Sequence, residues 1–192
     1  MTRILQALLL AGGLLAASPA LAQSRGYYRR PPPYAPPPRN ALRLEIGGAS
    51  LSSRYCPDGY AGTCFSSDPW GALLVSGDLD LALGRGPIYL TVGARYLGAQ
   101  YYEGNPSIFE PAVGITFKFM PYAPISPRLN AGVGFLVGNN SDTGASLRLG
   151  GGLSFLGASP IGLAIDLMFD FGSLGGVGIS QVQLAIGPEF HF

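Results

Sequence analysis

Charge is scarce in this chain. Only 12% of its 192 residues are Asp, Glu, Lys or Arg, where an ordinary soluble domain carries about 25%. Long apolar runs are scarce as well. Beyond residue 22 there is no stretch of about 18 residues free of charge and turn formers, which excludes a membrane-spanning helix from that part. One histidine, His191, is all the chain offers as an imidazole base, which is thin material for nucleophile–base chemistry. With a net charge of +1 there is no electrostatic case for a nucleic-acid partner. No cofactor or metal is expected. Gly132-Val133-Gly134 matches part of a nucleotide-binding glycine motif, but no helical pattern follows it. Asp58-Gly59 and residues 139–142 lack the ligand spacing of a calcium loop.

What the chain does have is apolar residues at 47%, together with 29 glycines and 17 prolines. Little charge and much apolar surface suggest a membrane as solvent. A membrane protein without spanning helices has one other option, a closed β-barrel.

Residues 1–22 read as a secretory signal that is removed. Arg3 is the positive start, residues 4–17 are the apolar stretch, Ser18 and Pro19 break it, and Ala20-Leu21-Ala22 is a small-x-small cleavage site. An uncleaved anchor is the alternative. Residues 23–40 hold Pro-Pro-Pro twice, at residues 31–33 and 36–38. Such a run favours extended polyproline II and acts as a semi-rigid spacer, here periplasmic. Its arginines and tyrosines also suit contact with the cell wall or an envelope protein.

From Leu42 to the end, a two-residue rhythm runs through residues 41–192. Leu42, Leu44 and Ile46 alternate with Arg43 and Glu45; Ile161, Leu163, Ile165 and Leu167 alternate with Gly162 and Asp166. Eight such segments occur, most of them 10 to 14 residues long; a tilted barrel strand needs about 9 to 11 residues to cross a bilayer. An even number is what single-chain bacterial barrels use. A soluble barrel with the apolar face inward has the same rhythm. Against it, the second face is Gly, Ser and Ala with few lysines. The apolar rows also place aromatics near both strand ends, with Phe117, Phe119, Phe155, Phe190 and Phe192 at one rim and Phe109, Phe135, Phe169 and Phe171 at the other. Two aromatic belts suit the two faces of a bilayer. Short turns at residues 84–86, 121–126 and 157–159 alternate with connections at 51–69, 99–107, 138–143 and 172–178. With both barrel ends periplasmic, the second set faces outward.

The architecture resembles the small eight-stranded outer-membrane proteins of the OmpX and OmpA-barrel type. The sharpest piece is the ending, where Gly187, Phe190 and Phe192 match the glycine-apolar-aromatic pattern of such proteins, with an unusual Pro188 inside it. The resemblance implies an eight-stranded antiparallel up-and-down transmembrane β-barrel in the outer membrane. It also implies outer-membrane lipid as surroundings and the barrel-assembly machinery as a partner at the last strand.

The inward face carries Arg43, Glu45, Asp78, Asp80, Arg95, Glu110, Lys118, Arg128, Arg148, Asp166, Asp170, Glu189 and His191. Hairpin register predicts Arg95 against Glu110, Arg148 near Asp166 and Asp170, and Arg43 near Glu189. These groups read as a stabilising polar plug, with a narrow ion or solute pathway as the alternative. Cys56 and Cys64 lie in the first outer connection, where export permits a disulfide; a metal site is the alternative but lacks histidine partners. Tyr55, Tyr60, Phe65 and Trp70 flank them, as interfacial anchors or as a contact surface. The expectation is a non-catalytic envelope or surface-display protein. A lipid-modifying enzyme relying on His191 is the remote alternative.

Overall fold

The computed structural model describes residues 39–56, 64–98, 107–121, 123–139, 141–156 and 159–192. Its elements are β1 (Ala41–Tyr55), β2 (Phe65–Ser66), β3 (Trp70–Ala82), β4 (Ile88–Gly98), β5 (Ser107–Lys118), β6 (Ile125–Gly138), β7 (Thr143–Phe155), β8 (Ile161–Leu174) and β9 (Val177–His191). There is no helix among the described residues. Eight long strands pair antiparallel in chain order, and β9 returns to pair with β1. The sheet is therefore a closed up-and-down barrel. The two-residue β2 only lengthens the β1–β3 hairpin.

The rhythm of the sequence fixes which way each side chain points, because successive strand residues face opposite sides. On β1, Leu44 and Ile46 are 48% and 55% exposed while Arg43 and Glu45 are 1% and 4% exposed. The same holds around the wall, with Val92, Val113, Leu147, Leu149 and Leu184 outward and Asp80, Glu110, Arg128 and Asp166 buried. The barrel is apolar outside and charged inside, the reverse of a soluble barrel.

Two connections are tighter than the sequence predicts. The sequence predicts a connection over residues 51–69, yet β1 runs on to Tyr55, with Leu51 opposite Trp70 and Tyr55 opposite Phe65. A run of serines around Leu51 hides the alternation there, but Leu51 points inward and is 1% exposed. The sequence also predicts a connection over residues 172–178. Instead β8 and β9 are joined by Gly175 and Gly176 alone, with φ of 57° and 83°. Two central residues at positive φ give the turn whose twist matches a β-hairpin, and glycine adopts it without steric cost.

The closing seam between β1 and β9 has a local gap. The register holds at Arg43 with Glu189 and at Ile46 with Ile186, but lapses between them, opposite Gly187 and Pro188. Proline has no N–H to give to the ladder. Gly187 meets β1 backbone to backbone: a Cβ there would lie 1.9 Å from the Leu44 carbonyl oxygen.

Candidate functional site

The inward residues converge on a filled lumen built in two layers. The layer nearer the chain ends is ionic. Arg43 lies 3.2 Å from both Asp80 and Asp166. Arg128 grips Asp166 with two nitrogens at 2.8 and 2.9 Å, the paired geometry that suits a guanidinium and a carboxylate. It also bonds the Ser154 hydroxyl and sits 3.6 Å from Glu45 and from Glu189. Lys118 binds Glu189 at 2.9 Å and Asp80 at 3.1 Å, with its Nζ 4.8 Å from the centre of the Tyr89 ring. Higher up, Arg95 donates to Gln183 at 2.5 Å and pairs with Asp170 at 3.4 Å. Arg148 stands 3.7 Å from Asp170 and 4.0 Å from Asp78. Glu110 accepts a hydrogen bond from Ser146 at 2.5 Å.

The abundant inward glycines make room for these groups. A Cβ at Gly93 would fall 1.9 Å from Asp78 Oδ1, and one at Gly152 would fall 2.0 Å from Asp166 Oδ1. The cavity left among Arg43, Asp78, Thr91, Arg95, Arg148 and Met168 measures about 20 Å³, room for about one water molecule.

Three expected pairings need correction. Arg95 and Glu110 are register partners on β4 and β5, yet Arg95 turns to Asp170 on β8 and Gln183 on β9. Arg43 and Glu189 are also register partners, but Arg43 takes Asp80 and Asp166 while Glu189 takes Lys118 and Arg128. Asp166 goes to Arg43 and Arg128 rather than to Arg148. The reason is geometric. Inward neighbours on one row have Cβ atoms about 5 Å apart, too close for an extended arginine, whereas an eight-stranded barrel is narrow enough for side chains to meet across it.

The second layer is apolar, and sequence reasoning missed it. Leu51, Leu74, Leu97, Ile108 and Leu136 point inward and are at most 4% exposed. They pack with Ala49, Ala72 and Ala185, and Trp70, Leu174 and Ile179 lie against them. The signal was present where the alternation lapses, at Leu73-Leu74-Val75, Tyr96-Leu97, Ile108-Phe109 and Phe135-Leu136-Val137. There both faces of a strand are apolar at once.

Beyond this layer Cys56 and Cys64 are joined by a disulfide. Tyr55 and Phe65 face each other across β1 and β2 and are 50% and 64% exposed. Tyr60 lies outside the described residues. Trp70 does not belong to that exposed group; it opens β3 and packs on the apolar layer. At the opposite end His191 Nδ1 lies 2.7 Å from the Ser159 carbonyl oxygen and Nε2 lies 3.4 Å from Glu189. Phe190 is part-buried between β1 and β8, and Phe192, 64% exposed, donates its backbone N–H to the Asn40 carbonyl.

A closed eight-stranded wall with an apolar outside and an ion-paired inside is the fold of the small outer-membrane β-barrel proteins. Among solved structures it is similar to Neisserial surface protein A, at 11% identity and a TM-score of 0.55, covering 79% of this chain and 99% of that one. The outer membrane enzyme PagL gives 15% identity and a TM-score of 0.48 over 77% and 99% of the two chains. Ail, the attachment invasion locus protein of Yersinia pestis, gives 19% and 0.43 over 79% and 99%. No family model matches the sequence, and no curated protein matches it.

Proposed function

We propose that this chain is a bacterial outer-membrane protein with a structural or surface-display role, neither conducting solute nor catalysing a reaction. After export, residues 1–22 are removed and residues 23–40 remain in the periplasm as a spacer that reaches towards the cell wall or an envelope protein. Membrane lipid surrounds the outward apolar belt. The barrel-assembly machinery engages the last strand at Gly187, Phe190 and Phe192.

The observation that carries this reading is the double closure of the lumen. Within the ionic layer the cavity beside Arg43, Asp78 and Arg95 measures about 20 Å³, and the apolar layer of Leu51, Leu74, Leu97, Ile108 and Leu136 lies across the way out. An ion crossing that layer would lose its hydration with no polar group to replace it. Against a lipid-modifying enzyme, His191 is committed to a backbone carbonyl and to Glu189, with no serine hydroxyl among its described partners. The exposed Tyr55–Phe65 pair beside the disulfide is the part suited to display.

The test is conductance in planar bilayers with the folded full barrel. The expected result is a silent membrane. Stepwise currents that change when Arg95 or Arg148 is neutralised would establish a pore and overturn the reading.

A further inference from the structure

The outward wall is not uniform. Towards the end that carries the β1–β2 hairpin, four strands present aromatic side chains: Tyr96, Phe109, Phe135 and Phe171, each about half exposed. On the neighbouring strands β9, β1 and β3, short of Tyr55 at the tip and with Trp70 turned inward, the outward positions there carry no aromatic. Their outward positions are Ser180 on β9, Gly48, Ser50, Ser52 and Arg54 on β1, and Gly71 on β3.

The missing side chains leave a groove of about 750 Å³, floored by Gly48, Ser50 and Gly71 and walled by Leu73, Val182 and Leu184. The fold does not demand these glycines. A Cβ at Gly71 would meet nothing within 4 Å, and one at Gly48 would reach only the Ala72 carbonyl oxygen at 4.0 Å. Gly47, one position along and facing inward, is the contrast, since its Cβ would fall 2.0 Å from the Leu184 carbonyl oxygen. Glycine inside a strand costs stability relative to alanine, so two glycines without a packing reason point to something that occupies the space.

Polar groups follow the groove floor along the β1–β9 ladder, where Ser50 faces Val182 and the next outward pair is Ser52 with Ser180. Ser52 and Ser180 share one hydrogen bond at 2.7 Å, which leaves one of their two hydroxyl protons free to donate. Arg54 is exposed, and no carboxylate among the described residues pairs with it. An apolar slot continued along the strand by a hydroxyl donor and then a guanidinium matches an acyl chain that ends in a phosphate.

We propose that this groove holds one membrane lipid with an anionic phosphate headgroup. Its chain lies along Leu73, Val182 and Leu184, and its phosphate sits on Arg54 and the Ser52–Ser180 pair. The proposal rests on the outer-membrane reading above.

Trp70, the chain's one tryptophan, borders the groove, so lipids with brominated acyl chains report on occupancy by quenching its fluorescence. The full barrel is refolded into phosphatidylcholine vesicles containing equal small fractions of brominated phosphatidylglycerol or brominated phosphatidylcholine. Phosphatidylglycerol is expected to compete for the site about tenfold better, the scale of one charge-assisted contact. Arg54→Ala should abolish that preference, and Gly71→Leu should lower quenching by both lipids. Equal quenching in the unaltered barrel, or a preference that survives Arg54→Ala, would overturn the site. Insertion is checked in every sample by a heat-sensitive shift in gel mobility. An inserted barrel without preference refutes the groove alone, whereas a chain that never inserts refutes the membrane reading and the groove with it.

Discussion

Arg95 and Glu110 stand opposite each other on β4 and β5, and they bond in different directions. Arg95 crosses the lumen to Asp170 and Gln183, while Glu110 accepts from Ser146 two strands away on β7. A double-mutant cycle separates the two geometries. Arg95→Ala combined with Asp170→Asn should show a coupling of about 0.5–3 kcal/mol, and Arg95→Ala combined with Glu110→Gln a clearly smaller one, since those two are neighbours that share no bond. Urea unfolding from lipid vesicles measures both. Coupling to Glu110 alone would restore the register pairing.

The apolar layer should behave as a core. Leu136 is fully buried, whereas Leu129 on the same strand is 56% exposed on the outer wall. Leu136→Ala is expected to cost about 2–5 kcal/mol, the range for a buried leucine that leaves a cavity. Leu129→Ala should cost clearly less, because lipid can fill the space beside it. Equal losses in the same unfolding assay would argue against an inner apolar layer.

Closure of the barrel should depend on Gly187 for want of space. Its added Cβ would press on the Leu44 carbonyl oxygen at 1.9 Å. Gly187→Ala is therefore expected to lower the fraction of chain that runs as the compact unboiled band after refolding into detergent, with no assembly machinery present. Gly71→Ala, whose Cβ meets nothing within 4 Å, is the control and should fold like the parent. Normal refolding of Gly187→Ala would leave the glycine with a role only in assembly in the cell.

The Cys56–Cys64 bridge should matter to the hairpin tip and little to the barrel. Beyond the β1–β3 ladder, β1 and β2 share only the pairs Arg54–Ser66 and Tyr55–Phe65. Replacing both cysteines by serine is expected to leave the gel shift unchanged and to speed proteolysis between residues 56 and 64. Loss of the gel shift would show that the bridge is needed for the fold.

The fold was legible because each strand obeys one simple rule, apolar out and polar in, repeated from Leu42 to Phe192. Strand ends were not. Ser50, Ser52 and Ser53 read as connection, though pairing with Val182, Ser180 and Ile179 carries β1 through them. Among charged residues, the sequence identified the inward groups and the approach of Arg148 to Asp170, but not the other partners. Register arguments see only neighbours on the wall, while Arg43 reaches Asp166, 123 positions away in the chain. Leu51 and Leu97 stayed hidden because a two-residue rhythm sorts apolar residues to the outer face. Only lapses in the rhythm mark those that turn inward.

The lumen's ion pairs also bear on how such a chain enters a bilayer. Twelve ionisable side chains share the buried interior: Arg43, Arg95, Lys118, Arg128 and Arg148 with Glu45, Asp78, Asp80, Glu110, Asp166, Asp170 and Glu189. Several of their contacts join strands that are not adjacent, as Lys118 on β5 joins Glu189 on β9. A half-zipped sheet in hydrocarbon would hold these charges without partners, at several kcal/mol for each uncompensated ion. Insertion strand by strand is thus opposed wherever a charge's partner sits on a strand not yet in place. Arg43 and Asp80 can meet within the β1–β3 hairpin, but Arg43–Asp166 and Lys118–Glu189 need distant strands in place, which favours concerted entry over stepwise entry.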